Sequence, residues 1–216
     1  MRIALLLYGR INRFKEHYEN ILDSIGKEHD IDIFLSSDNS PNDSLQEFVE
    51  LYKPKLYIND KIEHYINVDK YTIPPEISVT PKNMICHFIN KFRVFKLLEQ
   101  YIEHTKVNYD IVLSTRIDLV FDSKFIFNKC EEKTLYIPPG YDYTTIYDNK
   151  LYLSINDQIA YGDINSMRLY MNIIFNMIYF LDTKLSFLHP ETLTYTNIIC
   201  NNLNIIRFHL SYYIER

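Results

Sequence analysis

Tyr109 to Phe121, YDIVLSTRIDLVF, opens with an unbroken apolar run at Ile111-Val112-Leu113 and then sets a guanidinium and a carboxylate one residue apart, at Arg116 and Asp118. A run of this kind reads as a strand buried on both faces, which is how strands of a helix-covered parallel sheet are built. Side chains alternate along an extended chain, so Arg116 and Asp118 are expected to point the same way at the carboxyl end of a central strand. Open α/β sheets bind ligands at that end. Two readings stand together here: a ligand site, or an ion pair that caps the end of the strand.

Working outward, the chain ahead of this strand alternates strands with helices. Arg2 to Tyr8 is a fully apolar strand, Gly9-Arg10-Ile11-Asn12-Arg13 is a turn, and a helix follows from about Phe14 to Gly26 with Phe14, Tyr18, Ile21, Leu22 and Ile25 as its buried stripe. A strand, a glycine turn and a helix start together offer free backbone N–H groups to an anion, and Arg10 and Arg13 add charge; solvated arginines on an ordinary turn would look the same. Asp30 to Ser37 is a second apolar strand, closing on Ser36, Ser37 and Asp38 before Asn39-Ser40-Pro41 breaks it. Ser44 to Tyr52 makes a short helix, Pro54 ends it, and Leu56-Tyr57-Ile58 is a third strand. This βαβαβ order opens a doubly wound sheet.

Asn59 to Val79 is polar, contains Pro74-Pro75, has no sustained period and reads as a long loop. Thr80-Pro81 then starts the strongest helix, with Thr80 as cap and Ile85, Phe88, Phe92, Phe95, Leu98 and Ile102 at threes and fours. Lys91, Arg93 and Lys96 lie off that stripe, either solvated or with one of them reaching a phosphate. Leu135-Tyr136-Ile137 is a further strand, Tyr141 to Asn149 a mobile loop, and Ser154 to Asp163 a polar turn, a short strand and a helix start. Ile164 to Leu181 is apolar nearly all round, which predicts one largely buried helix with its methionines as core filler. Pro190 opens a helix to about Leu203, and Ile205 to Leu210 is the last strand.

Composition bounds the answer. At 216 residues the chain suits one domain, 1–216, and 47% hydrophobic with 24% charged residues is ordinary for a globular protein. A formal charge of −5 argues against a nucleic-acid binder. Cys86, Cys130 and Cys200 lack both zinc-site spacing and the density of a disulfide framework, so a reducing, cytoplasmic setting is expected. Neither Ile3 to Tyr8 nor Ile173 to Leu181 is long enough to span a membrane. Nineteen tyrosines mean that no single one stands out as functional. No nucleophile elbow, His-Glu-x-x-His or Walker loop is present, which leaves hydrolase and kinase readings without residues to carry them.

The Arg116-Ile117-Asp118 strand resembles the segment of GT-A fold nucleotide-sugar glycosyltransferases in which an apolar strand ends in Asp-x-Asp, especially a bacterial and large-DNA-virus branch where the motif reads Arg-x-Asp. Gly9 and Arg13 fit that family's Gly-x-x-x-Arg after the first strand. Asn156-Asp157-Gln158 with Gly162 resemble its Asp-rich turn and small strand, and His189-Pro190-Glu191 resembles a His-Pro-Glu before a helix. The resemblance implies a GT-A fold, α/β with a mainly parallel central sheet flanked by helices. It implies transfer of a sugar, as a hexosyltransferase, from a nucleoside diphosphate sugar to a hydroxyl acceptor such as a glycan. Donor contacts would fall to Gly9, Arg10, Arg13, Ser37, Asp38, Arg116 and Asp118, with the second strand's end reading base or ribose unless Ser37 and Asp38 serve only a turn. Asp118 and His189 would hold a divalent metal, Mn2+ or Mg2+, although His189 also reads as a helix cap. Asp157 would be the acceptor-side base, which makes the reaction inverting, or else a turn cap; a retaining outcome stays open. Arg116 stands where the first Asp usually does, and a guanidinium can itself neutralise phosphate. That departure supports the rival reading, a non-catalytic GT-A-like module that binds a nucleotide sugar or a protein.

Overall fold

In the computed structural model, which describes all residues except 12, 39–40, 63–65, 69, 72, 74–79 and 216, β1 (Arg2–Tyr8) is the hub of a seven-stranded sheet. The readings at Asn12, Asn39-Ser40 and Pro74-Pro75 lie outside the described residues. Beside β1 on one flank run β2 (Asp30–Ser37) and β3 (Leu56–Asn59), and on the other β4 (Ile111–Arg116), β9 (Ile159–Gly162), β6 (Thr134–Ile137) and β10 (Asn204–Arg207). β1, β2, β3 and β4 are mutually parallel, as are β6 and β10, and β9 alone runs antiparallel to both of its neighbours. The fold is α/β with a mixed sheet flanked by helices, compatible with a Rossmann-like arrangement.

Alternation along the central strands divides the core in two. Ile3, Leu5 and Leu7 of β1 face α1 (Phe14–Ile25) and α2 (Asn42–Tyr52), with Ile111 and Leu113 of β4 beside them. Ala4, Leu6 and Tyr8, with Val112, face α3 (Pro81–Thr105), α4 (Ile164–Met171) and α6 (Pro190–Cys200). Each buried leucine contributes roughly 2 kcal/mol, so neither face of these strands can be left to solvent and the continuous apolar runs follow. The chain leaves β1 toward β2 and β3, then returns through α3 to β4 on the far side of β1. The carboxyl ends of β1 and β4 therefore flank the point where the winding reverses.

Several elements differ from the sequence expectation. β4 stops at Arg116; Ile117-Asp118 turns, and the chain resumes as β5 (Leu119–Phe121), which pairs with β11 (Tyr212–Ile214) outside the main sheet. Tyr141 to Asn149 is not a loop throughout. β7 (Thr144–Tyr147) and β8 (Lys150–Leu153) form a hairpin whose two turn residues, Asp148 and Asn149, both have positive φ, the backbone that a two-residue turn of matching twist requires. The helix expected over Ile164 to Leu181 breaks into α4, a 3-10 turn at Ile173–Phe175 and α5 (Met177–Asp182). Asn172 and Asn176, residues of low helix propensity, stand at the breaks. Phe175 and Tyr179 consequently lie exposed. Thr80 caps α3 as expected, its hydroxyl accepting from Asn83 N at 3.3 Å, with Pro81 at the first helical position. Cys86, Cys130 and Cys200 are free thiols, and no helix among the described residues is long and apolar enough to cross a membrane.

Candidate functional site

The register that pairs Tyr8 with Arg116 puts both side chains on the α3 face at the carboxyl edge of the sheet. The third turn of α3 brings His87 and Lys91 to the same place, and the loop before β9 brings Asp157. Lys91 and Asp157 are buried, and His87 is nearly so. The backbone carbonyl of Asp157 accepts three bonds: from Lys91 Nζ at 3.1 Å, Tyr170 Oη at 3.2 Å and Tyr8 Oη at 3.3 Å. Tyr8 Oη also reaches the carbonyl of Gln158 at 3.1 Å. The Lys91 ammonium sits 4.0 Å from the ring centroid of Tyr170, a cation–π contact that substitutes in part for lost water. The Asp157 carboxylate points to His87, with Oδ2 3.0 Å from Nε2, close enough for a charge contact but off the axis of the ring N–H.

The charges in this pocket bias one another. Burial lowers the Lys91 pKa to about 8, with Asp157 opposing it. Burial by itself would raise Asp157, yet the cations around it outweigh that and hold it below the usual carboxylate range. Burial also lowers His87, and Lys91 and Arg116 add to the effect against the pull of Asp157. Of the groups that hold Asp157 down, His87 weighs most, followed by Lys91 and Arg116. Burial pushes the hydroxyls of Tyr8 and Tyr170 far above their ordinary value, so both act as neutral hydrogen-bond donors.

Arg116 and Asp118 meet across the turn after β4, with Nε 2.8 Å from Oδ1 and Nη2 on Oδ2. A bidentate pair of this kind outweighs the cost of burying the guanidinium and raises the Arg116 pKa above its ordinary value. Both carboxylate oxygens of Asp118 are thus taken by Arg116. Gly9, at φ +113°, donates its N–H to the carbonyl of Ser36 at 3.0 Å, and Arg10 is exposed next to it. Arg13 turns away to Glu16 and to Glu215, at 3.2 and 2.9 Å. Ser37 is buried at the end of β2, and Asp38 accepts from the backbone N–H of Ile62 at 2.8 Å, a loop-fixing role. His189 precedes α6, 2.9 Å from Thr192 Oγ1 and 3.0 Å from Glu191 Oε2, with its ring stacked on Phe187.

For a divalent metal, the donor set fits poorly. Asp118 is engaged by a guanidinium, and His189 is engaged by Glu191 and Thr192. Among the described residues, the one trio of ligating side chains with atoms within 4.8 Å of one another is Glu16, His17 and Glu215, and Arg13 already pairs with both of its carboxylates. Sequence reasoning singled out Arg116, Asp118 and Asp157, overlooked His87, and set Lys91 off the buried stripe where it is in fact buried. The signal was present: Met84, Phe88, Lys91, Phe95 and Leu98 share core spacing along α3, with a lysine in the middle of the stripe. No protein-family model matches the chain, and no curated protein matches it.

Proposed function

We propose that this chain is a GT-A-like glycosyltransferase that holds a nucleoside diphosphate sugar at the carboxyl edge of β1, β2 and β4 and passes the sugar to a hydroxyl acceptor such as a glycan. The observation that carries the reading is Arg116-Ile117-Asp118 at the end of β4, beside the point where the winding reverses, with Arg116 in register with the buried Tyr8. A departing diphosphate needs positive charge. Exposed Arg10 and half-buried Arg116 supply it. No step is routed through a metal, since the side chains present do not make a vacant ligand set.

The mutual pairing of Arg116 and Asp118 favours a second reading, a domain that binds the nucleotide sugar without turning it over. Melting curves taken with UDP, GDP, dTDP and CDP sugars, with and without Mn2+, test both, because a ligand of the native state raises its Tm. A raised Tm together with sugar transfer or slow donor hydrolysis supports the enzyme; a raised Tm with neither supports the binding domain. No shift with any of them removes both readings. Asp118→Asn adds a finer test. If Arg116 meets the diphosphate, releasing it from Asp118 tightens donor binding; if Asp118 ligates a metal, the same change abolishes the Mn2+ response.

A further inference from the structure

We propose that His87 and Asp157 form a proton-accepting dyad, in which the His87 nitrogen turned away from Asp157 takes the proton of the acceptor hydroxyl and Asp157 holds the ring from behind; this rests on the transferase reading above. Three observations place the pair. The Asp157 backbone is clamped by Lys91, Tyr8 and Tyr170, so its carboxylate has a fixed origin. Its Oδ2 lies 3.0 Å from His87 Nε2, a close contact off the N–H axis and not a formed hydrogen bond, and that nitrogen is shielded from solvent. The ring leans edge-on against Tyr8 and Phe88, with centroids 5.3 and 5.2 Å apart, which restricts its rotation.

The imidazole, 15% exposed, is the more open of the two side chains, Asp157 being 6% exposed. The groups facing the ring are Asp157 from the loop before β9, Lys91 from its own helix, Arg116 from β4 and Tyr8 from β1. The two cations and burial keep the imidazole neutral, and the nearby anion is positioned to stabilise the imidazolium that forms. That division of labour makes His87 the catalytic residue and Asp157 a positioning residue. In the step, the acceptor oxygen bonds to the anomeric carbon as that carbon's bond to the phosphate oxygen breaks. The bonding pair leaves with the nucleoside diphosphate, and the hydroxyl proton moves to His87 Nδ1.

Two measurements decide it. Nitrogen-15 NMR of the wild-type imidazoles at pH 7.5 is expected to show His87 neutral with its proton on Nε2, and Asp157→Asn is expected to lose that tautomer preference. A proton on Nδ1, or an imidazolium at that pH, overturns the dyad. With any nucleotide sugar that raises the wild-type Tm, His87→Gln should keep the Tm shift and slow sugar turnover on the order of a hundred- to ten-thousandfold. Undiminished turnover also overturns it. Asp157→Asn should move the acid limb of the rate profile to lower pH, because the imidazolium has lost its anion; a merely structural Asp157 leaves the limb in place. Should no nucleotide sugar shift the wild-type Tm, the transferase reading fails, and the NMR result still settles whether the two side chains are coupled. If His87→Gln does not fold, His87→Asn takes its place.

Discussion

Asp32 and Asp157 are both buried aspartates of the same sheet, and they sit at opposite ends of it in opposite circumstances. At the amino edge Asp32 is saturated: Arg2 Nη2 and Tyr109 Oη each lie 2.8 Å from Oδ2, and Lys55 Nζ lies 3.1 Å from Oδ1. Burial would raise its pKa, but these bonds overcome it and the carboxyl stays below its ordinary value. At the carboxyl edge, among the described residues, the Asp157 carboxylate has one close partner, off axis, while the buried Lys91 bonds to a carbonyl alone. Among the described residues, His87 Nε2 and Gln158 Oε1 on that side are buried with no hydrogen-bond partner, as are Ser114 Oγ in mid-strand and His29 Nδ1, Asn172 Oδ1 and Thr194 Oγ1 elsewhere. Complete satisfaction marks Asp32 as part of a structural network, and the carboxylate of Asp157 lacks that completeness.

Breaking the saturated end should cost most. Asp32→Ala strands two cations and a phenol, partly offset because Arg2 and Lys55 stay about two-fifths exposed, so a loss of about 3 kcal/mol is expected in urea unfolding. A loss below about 1 kcal/mol would erase the contrast. The unsaturated end should respond to alkali in the other direction. Lys91 has a folded-state pKa of about 8, below that of the free side chain, so between pH 8 and about 10 the unfolded chain binds more protons than the folded one. Stability therefore rises across that window, by at most about 1.4 kcal/mol per pH unit. Above it, Tyr8 and Tyr170 reverse the trend, since they stay neutral in the fold while the unfolded chain ionises. Lys91→Met should abolish the rise; at pH 7 the relief of burying the ammonium opposes the loss of a cation beside Asp157 and of the bond to its carbonyl, so a net change within about 1 kcal/mol of the parent is expected. A flat profile for the parent would mean that Lys91 is charged at no cost, and the edge would not be strained. The smallest effect belongs to Arg116→Lys. The pair with Asp118 is a quarter exposed and the change keeps the charge, so less than about 1 kcal/mol is expected, and a larger loss would place this pair with Asp32 as scaffold.

How much of this could be read in advance follows from how each element is held. β1, β2 and the βαβαβ opening were legible because strands covered on both faces must be continuously apolar, and α3 because Thr80-Pro81 and a regular stripe announce it. The hairpin at Thr144 to Leu153 was missed because its outward face is itself apolar, with Ile146 and Leu151 exposed, which hides the alternation. β5 and β11 are three residues each, too short for any period to show. At the site, the ends of β1 and β4 were legible from position alone. Arg13 was not, since its pairing with Glu215 joins residues far apart in sequence. His87 and Lys91 were lost because α3 is covered on two sides: the sheet takes Val94 and Phe95, while Met84 and Phe88 pack on the segment around Ile173 and Met177. An apolar stripe read for one buried face therefore gave the wrong edge to Lys91.

The pairing of β11 with β5 bears on how this protein is made. Glu215 bonds to the carbonyl of Asp118 at 3.0 Å and to His17, 198 positions away, and Tyr212 Oη accepts from Asn156 at 2.6 Å. A ribosome delivers the chain from its amino end, and β1 to β4 can pair while residues 212–215 are still to be added. The turn that carries Asp118 then has nothing behind it. Its outer strand is unpaired and Arg13 has only Glu16 to hold it. Synthesis thus places the pairing of β1 to β4 ahead of the backing of the Asp118 turn, which waits for residues 212–215.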